Sequence, residues 1–126
     1  MSEPRPLKVL IAGGGTGGHL YPGIAVAERI TAVLGGEVVF VGTSRGLETK
    51  LVPKAGFPLE LVTVSGLKRM GVAATLRGVG RLPNAMLQSW RILRRHRPDV
   101  VLGVGGYASG PLVMAAALSG VPTAIQ

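Results

Sequence analysis

The chain carries the same device twice: a run of apolar residues that breaks into glycines and then into a helix-forming stretch. The first copy is Gly13-Gly14-Gly15-Thr16-Gly17-Gly18-His19 behind Val9 to Ala12; the second is Gly103-Val104-Gly105-Gly106-Tyr107-Ala108-Ser109-Gly110 behind Val100 to Leu102. Each stands where a strand should turn into a helix. The first turn of a helix offers unpaired N–H groups and a partial positive charge, and glycines let the backbone approach a phosphate closely. Two such turns predict a ligand carrying more than one phosphate.

The remaining pattern repeats the strand-then-helix alternation. Leu7 to Ala12 reads as a buried strand, and Val26, Ile30, Val33 and Leu34 recur at helical spacing from about Tyr21, with Pro22 near the helix start and Gly35-Gly36 as its stop. Val38 to Val41 is a second strand, Gly46 to Ala55 a short helix interrupted by Pro53, and Leu59 to Val64 a third strand. The pattern loosens from Met70 to Pro83. Met86, Leu87, Trp90 and Leu93 then mark an amphipathic helix ending near Arg97-Pro98, with Trp90 and Leu93 expected in the core. Asp99 to Val104 is a fourth strand, Pro111 to Leu118 a helix closed by Gly120, and Pro122 to Gln126 the opening of a fifth strand. The expected fold class is α/β, a Rossmann-like doubly wound parallel sheet. In the order 3-2-1-4-5 the first and fourth strands are neighbours, so both glycine turns flank the crevice in which such sheets bind ligands. A parallel sheet needs helices on both faces, so a chain ending on its fifth strand is expected to be the front part of a longer protein.

With 126 residues, 47% of them hydrophobic, one core is expected. There is no Cys, hence neither disulfide nor thiolate metal site, and the polar segment after Met1 lacks the apolar core of a secretory signal; a cytoplasmic location is expected. Gly, Pro or Arg interrupts every apolar run before a bilayer could be spanned, which leaves peripheral contact. The net charge of +8 is concentrated: Lys68, Arg69, Arg77, Arg81, Arg91, Arg94, Arg95 and Arg97 lie between Glu60 and Asp99 with no carboxylate among them. Such a stretch attracts a polyanion or an anionic membrane; a solvated basic helix face is the plainer alternative. Leu76, Val79 and Leu82 interleave with Arg77 and Arg81, the mixture a peripheral membrane surface requires. Nucleic acid is disfavoured, because aromatic residues are only 4% of the chain and no stacking array is visible.

Gly13, Gly15 and Gly18 satisfy G-x-G-x-x-G, a weak sign of a dinucleotide. An NAD site also wants an acid at the end of the second strand, which here reads Gly42-Thr43-Ser44-Arg45. Ser44 and Arg45 could instead hold the extra phosphate of NADP, a reading that leaves the second glycine turn without a task. No Gly-Lys-Ser or Gly-Lys-Thr closes either turn, which excludes a P-loop. His19 stands beside the helix start, where the dipole disfavours imidazolium; a neutral ring can take a proton from a hydroxyl or simply donate to a phosphate. Tyr107 and Ser109 can donate to a phosphate or sugar, or merely fix their own turn.

Taken together, GGGTGGHLYP at Gly13 to Pro22, the segment Gly42-Thr43 to Pro53, Ser65-Gly66-Leu67 and the run Pro98 to Pro111 resemble the MurG family of bacterial N-acetylglucosaminyltransferases. The resemblance covers essentially the whole chain. It implies a GT-B fold of two Rossmann-like domains, with residues 1–126 making most of the N-terminal, acceptor-binding one and the C-terminal donor domain absent. It further implies UDP-N-acetylglucosamine as donor and lipid I, an undecaprenyl-pyrophosphoryl muramyl pentapeptide, as acceptor, with lipid II as product for peptidoglycan synthesis.

In that family's image the acceptor pyrophosphate lies at Gly14, Gly15, Thr16, Gly17 and Gly18 and at Gly105, Gly106 and Tyr107, with Ser109 nearby. His19 becomes the favoured base for the muramyl 4-hydroxyl, and Thr16, Gly17 and Gly18 also face the donor. Leu76, Arg77, Val79, Arg81 and Leu82 fall in the stretch resembling the family's membrane-docking patch, on the inner face of the cell membrane. The transfer inverts the anomeric centre without strict need of a metal or other cofactor. This chain alone is expected to fold marginally and not to transfer sugar. Two other readings stay open: a noncatalytic module that docks on anionic membrane, and a fragment of an NADP-dependent reductase.

Overall fold

The computed structural model describes residues 6–13, 17–44, 46–62, 82–105 and 109–125. Among them the elements run β1 (Lys8–Ala12), α1 (Gly17–Leu34), β2 (Glu37–Gly42), α2 (Glu48–Lys54), β3 (Leu59–Leu61), α3 (Leu82–His96), β4 (Val100–Gly103), α4 (Ser109–Leu118) and β5 (Thr123–Ile125). The strands form one five-stranded sheet in the order β3-β2-β1-β4-β5, parallel at every pairing. The expected order, with the first and fourth strands adjacent, is the order seen.

Alternation along each strand divides the core in two. Leu10, Ala12, Val39, Val41 and Val101 pack with Ile92 and Leu93 of α3 and Leu112, Ala115 and Ala116 of α4. The intervening residues Val9, Ile11, Val38 and Phe40 pack on the other face with Leu20 and Ala27 of α1 and Val52 of α2. Because both faces are covered, the central strands read as unbroken apolar runs rather than as alternating ones. Phe40 stacks at a tilt on Phe57, their ring centroids 5.5 Å apart. β5 is exposed throughout, Ile125 among its residues.

Two helices depart from expectation. Helix α1 begins at Gly17, not near Tyr21, so Pro22 lies inside it. Proline there removes the N–H that would bond the Gly18 carbonyl, and the helix tolerates the loss because fully buried Leu20 anchors its first turns on the sheet. Helix α3 begins at Leu82, with Pro83 in its first turn where proline is well accommodated. It closes on Arg97, whose φ of 48° places a non-glycine residue in the left-handed region. The Arg97 N–H donates to the Leu93 carbonyl at 2.8 Å.

Trp90, expected in the core, is 43% exposed, whereas Leu93 is buried. The buried stripe of α3 runs through Ser89, Ile92 and Leu93, which leaves Trp90 on the shoulder of the helix. There its ring carries the Arg94 guanidinium 4.8 Å from the centroid. Trp90→Ala should therefore lower stability by about 1 kcal/mol or less, the scale of an exposed cation–π pair, against roughly 3–5 kcal/mol for a buried aromatic. Chemical denaturation of the full-length protein measures the difference.

Candidate phosphate-binding site

The parallel sheet sends both glycine turns to the same edge. β1 and β4 are neighbours, Ala12 pairing with Gly103, and the Val104 N–H donates to the Ala12 carbonyl at 2.9 Å. On its other side the Gly13 N–H donates to Val41 of β2 at 3.0 Å. The chain entering the first turn is thus tied to both neighbouring strands, Ala12 to the residue after β4 and Gly13 to β2.

The two turns also touch. A methyl group placed on Gly13 would overlap the Val104 Cγ2 atom and lie 3.2 Å from the Gly105 carbonyl oxygen. Only a residue without a side chain lets the first turn leave the sheet beside the second. Gly105 has a φ of 102°, a conformation open to glycine at little steric cost. From these turns α1 starts at Gly17 and α4 at Ser109, both with their N-termini at the carboxyl edge of the sheet. Two sets of first-turn N–H groups, which have no partner within their own helix, and two positive dipole ends therefore stand at the edge where doubly wound sheets take their ligands.

Gly17, Gly18 and His19 are the first three residues of α1, so His19 lies in the first turn of the helix rather than ahead of it. Ser109 opens α4, and Leu82 opens α3. Gly14, Gly15, Thr16, Gly106 and Tyr107 lie outside the described residues, as do Arg45 and the membrane candidates Leu76, Arg77, Val79 and Arg81.

The segment after β2, Gly42-Thr43-Ser44-Arg45, carries no acid, yet the fold brings one to the end of that strand. Glu48, at the start of α2, is fully buried and turns its carboxylate back onto the strand end. Its Oε1 accepts the Thr43 N–H at 3.1 Å and the Thr43 hydroxyl at 3.0 Å. A sugar hydroxyl cannot reach a carboxylate so enclosed, and a 2′-phosphate beside Thr43 would find both Thr43 donors already engaged. The end of β2 is accordingly a poor seat for NAD or for NADP. An acid opening a helix after the polar segment Thr43-Ser44 was the signal available in the sequence.

The basic run is partly neutralised across the fold. Arg95 on α3 donates to Glu60 of β3 at 2.7 Å, an exposed pair that contributes little to stability. Farther along, Trp90, Arg94, Arg97 and Val121 help to line a groove of about 340 Å³ at the amino edge of the sheet, the end opposite the glycine turns. No helix among the described residues is long and apolar enough to cross a membrane.

The family model of the glycosyltransferase family 28 N-terminal domain matches residues 9–126. The chain belongs to that family. A UDP-N-acetylglucosamine--N-acetylmuramyl-(pentapeptide) pyrophosphoryl-undecaprenol N-acetylglucosamine transferase of Myxococcus xanthus is 64% identical over 121 residues, covering 95% of this chain and 32% of its own length. The enzyme of the same name from Pelobacter propionicus is 53% identical over 121 residues, with the same shares covered. Among solved structures, MurG of Acinetobacter baumannii superposes with a TM-score of 0.80 at 31% identity, over 95% of this chain and 35% of that one. The family 28 fold is thus the expected Rossmann-like doubly wound sheet of GT-B glycosyltransferases. The chain spans about a third of the length of the curated relatives it matches.

Proposed function

We propose that this chain is the acceptor-binding part of an inverting glycosyltransferase that moves N-acetylglucosamine from UDP-N-acetylglucosamine to the muramyl 4-hydroxyl of lipid I, giving lipid II. The observation that carries the reading is the contact between the two glycine turns: Gly13 against Val104 and Gly105 makes one cradle from two helix starts. The relatives' names supply the matching chemistry, a pyrophosphoryl acceptor and a UDP-sugar donor.

In this reading Gly14 to Gly18 and Gly105 to Tyr107, with Ser109, receive the acceptor pyrophosphate. His19, in the first turn of α1, takes the proton of the 4-hydroxyl as its oxygen bonds to the anomeric carbon of the donor sugar. The bond from that carbon to the UDP oxygen breaks from the opposite face, and UDP leaves with the electron pair, so the configuration inverts. Thr16, Gly17 and Gly18 border the donor, most of whose site belongs to a second, C-terminal domain. Residues 1–126 then make most of the N-terminal domain. No metal or organic cofactor is assigned a step. Leu76, Arg77, Val79, Arg81 and Leu82 would hold this half against the anionic inner face of the cell membrane, where the lipid acceptor resides.

The test uses the full-length polypeptide with radiolabelled UDP-N-acetylglucosamine and a short-chain analogue of lipid I. A β-linked disaccharide formed together with UDP is the expected product. Saturable NADP binding without sugar transfer would overturn the reading in favour of a reductase.

A further inference from the structure

Glu48 and Ser89 are the polar side chains fully buried among the described residues, and the transfer just described leaves Glu48 without a task. Removing a carboxylate from water is costly unless charge-assisted hydrogen bonds replace the lost solvent, and Thr43 supplies two of them. The socket is shaped for it. A methyl group on Gly46 would overlap both carboxylate oxygens, and one on Gly42 would overlap the Glu48 Cγ atom. That same position on Gly42 lies 3.2 Å from the carbonyl oxygen of Gly13. The far wall of the socket is therefore the entrance of the first glycine turn, which is itself bonded to β2 through the Gly13 N–H and the Val41 carbonyl.

We propose that Glu48 is a positioning residue for the pyrophosphate cradle: its buried carboxylate clamps the loop after β2 through Thr43 and fixes the strand end on which the first glycine turn rests. The proposal rests on the reading of that turn as the acceptor pyrophosphate site. The carboxylate acts in two ways. It holds Gly42 against Gly13, which sets the path of the chain into the turn. It also engages the Thr43 N–H and hydroxyl, donors that would otherwise offer an anion a competing seat at the end of β2. The acceptor pyrophosphate is thereby directed to the turns after β1 and β4, where no described carboxylate faces it.

The experiment compares Glu48→Gln, Thr43→Val, Thr43→Ser and the double variant Glu48→Gln/Thr43→Val in the full-length enzyme. KM and kcat are measured for a pyrophosphate-bearing acceptor, a monophosphate-bearing acceptor and UDP-N-acetylglucosamine, and Tm is recorded for each variant. Glu48→Gln and Thr43→Val should each raise KM for the pyrophosphate acceptor about tenfold, the scale of one hydrogen bond to a charged group, and leave the donor KM within about twofold. The double variant should be no worse than the worse single one, because the two residues act as a unit. Thr43→Ser, which keeps both donors, should restore the wild-type value. A lowered Tm with unchanged acceptor KM would reduce Glu48 to a structural role and overturn the proposal. Should Glu48→Gln fail to fold, the Thr43→Val and Thr43→Ser pair decides the question alone. If the unaltered enzyme uses the monophosphate acceptor as well as the pyrophosphate one, the cradle reading itself fails and the proposal falls with it; if the unaltered enzyme prefers the pyrophosphate acceptor and Glu48→Gln keeps that preference in full, the positioning role alone fails.

Discussion

Replacing His19 by Ala in the full-length enzyme should lower kcat by about 10²–10⁴-fold, the range a positioned general base supplies, while KM for the acceptor changes by no more than about twofold. The split between the two constants matters because the same residue has a second conceivable use. A histidine that only donates to the acceptor phosphate would show its loss mainly in KM. A neutral imidazole is the form able to take a proton, the role proposed for His19. His19→Gln, which keeps a hydrogen-bonding group but no usable base at neutral pH, separates the two roles again: it should be as slow as His19→Ala. Steady-state kinetics with the lipid I analogue measure both, and a circular dichroism spectrum unchanged from wild type excludes loss of fold as the cause.

Gly13→Ala should destabilise the protein by about 1–3 kcal/mol, the cost of forcing an extra carbon into a closely packed interior. The added methyl has nowhere to go, since Val104 is buried and its Cγ2 occupies the place. Relief by movement would have to part the two glycine turns, so acceptor binding should weaken along with stability. Val104→Ala alone should cost about 1–2 kcal/mol through the small cavity it leaves. The pair Gly13→Ala/Val104→Ala should be more stable than the sum of the two single losses allows, because each change makes room for the other. Urea denaturation of the four proteins completes the cycle. Simple additivity would mean that the turns do not meet at these residues.

The architecture was legible because β1, β2 and β4 are short apolar runs closed by glycine and α3 carries a clear helical spacing. The sheet order was the common one for doubly wound sheets, and it is that order which brings the two glycine turns to one crevice. What escaped the sequence had tertiary causes. The start of α1 was hidden because Gly17, Gly18 and His19 carry no apolar period, and Leu20 reveals its role only when seen against the sheet. Trp90 looked like core by residue type, yet the stripe through Ile92 and Leu93 turns it outward to meet Arg94. Glu60 closes the stretch of cations in sequence but reaches Arg95 only because β3 and α3 come together. Glu48 is the clearest case among the site residues. An acid opening a helix was visible in the sequence, but its enclosure by Gly42, Thr43 and Gly46 arises only when the strand end and the helix start come together.

The central claim is that two glycine turns, far apart in the chain, hold one pyrophosphate. Titration of the isotope-labelled full-length enzyme with a short-chain muramyl pyrophosphate acceptor, followed through the backbone amide signals of Gly17, Gly18 and Gly105, tests it most directly. If the turns form one cradle, all three signals shift together and fit a single dissociation constant. Signals that move in only one turn, or that saturate with different constants, would contradict it.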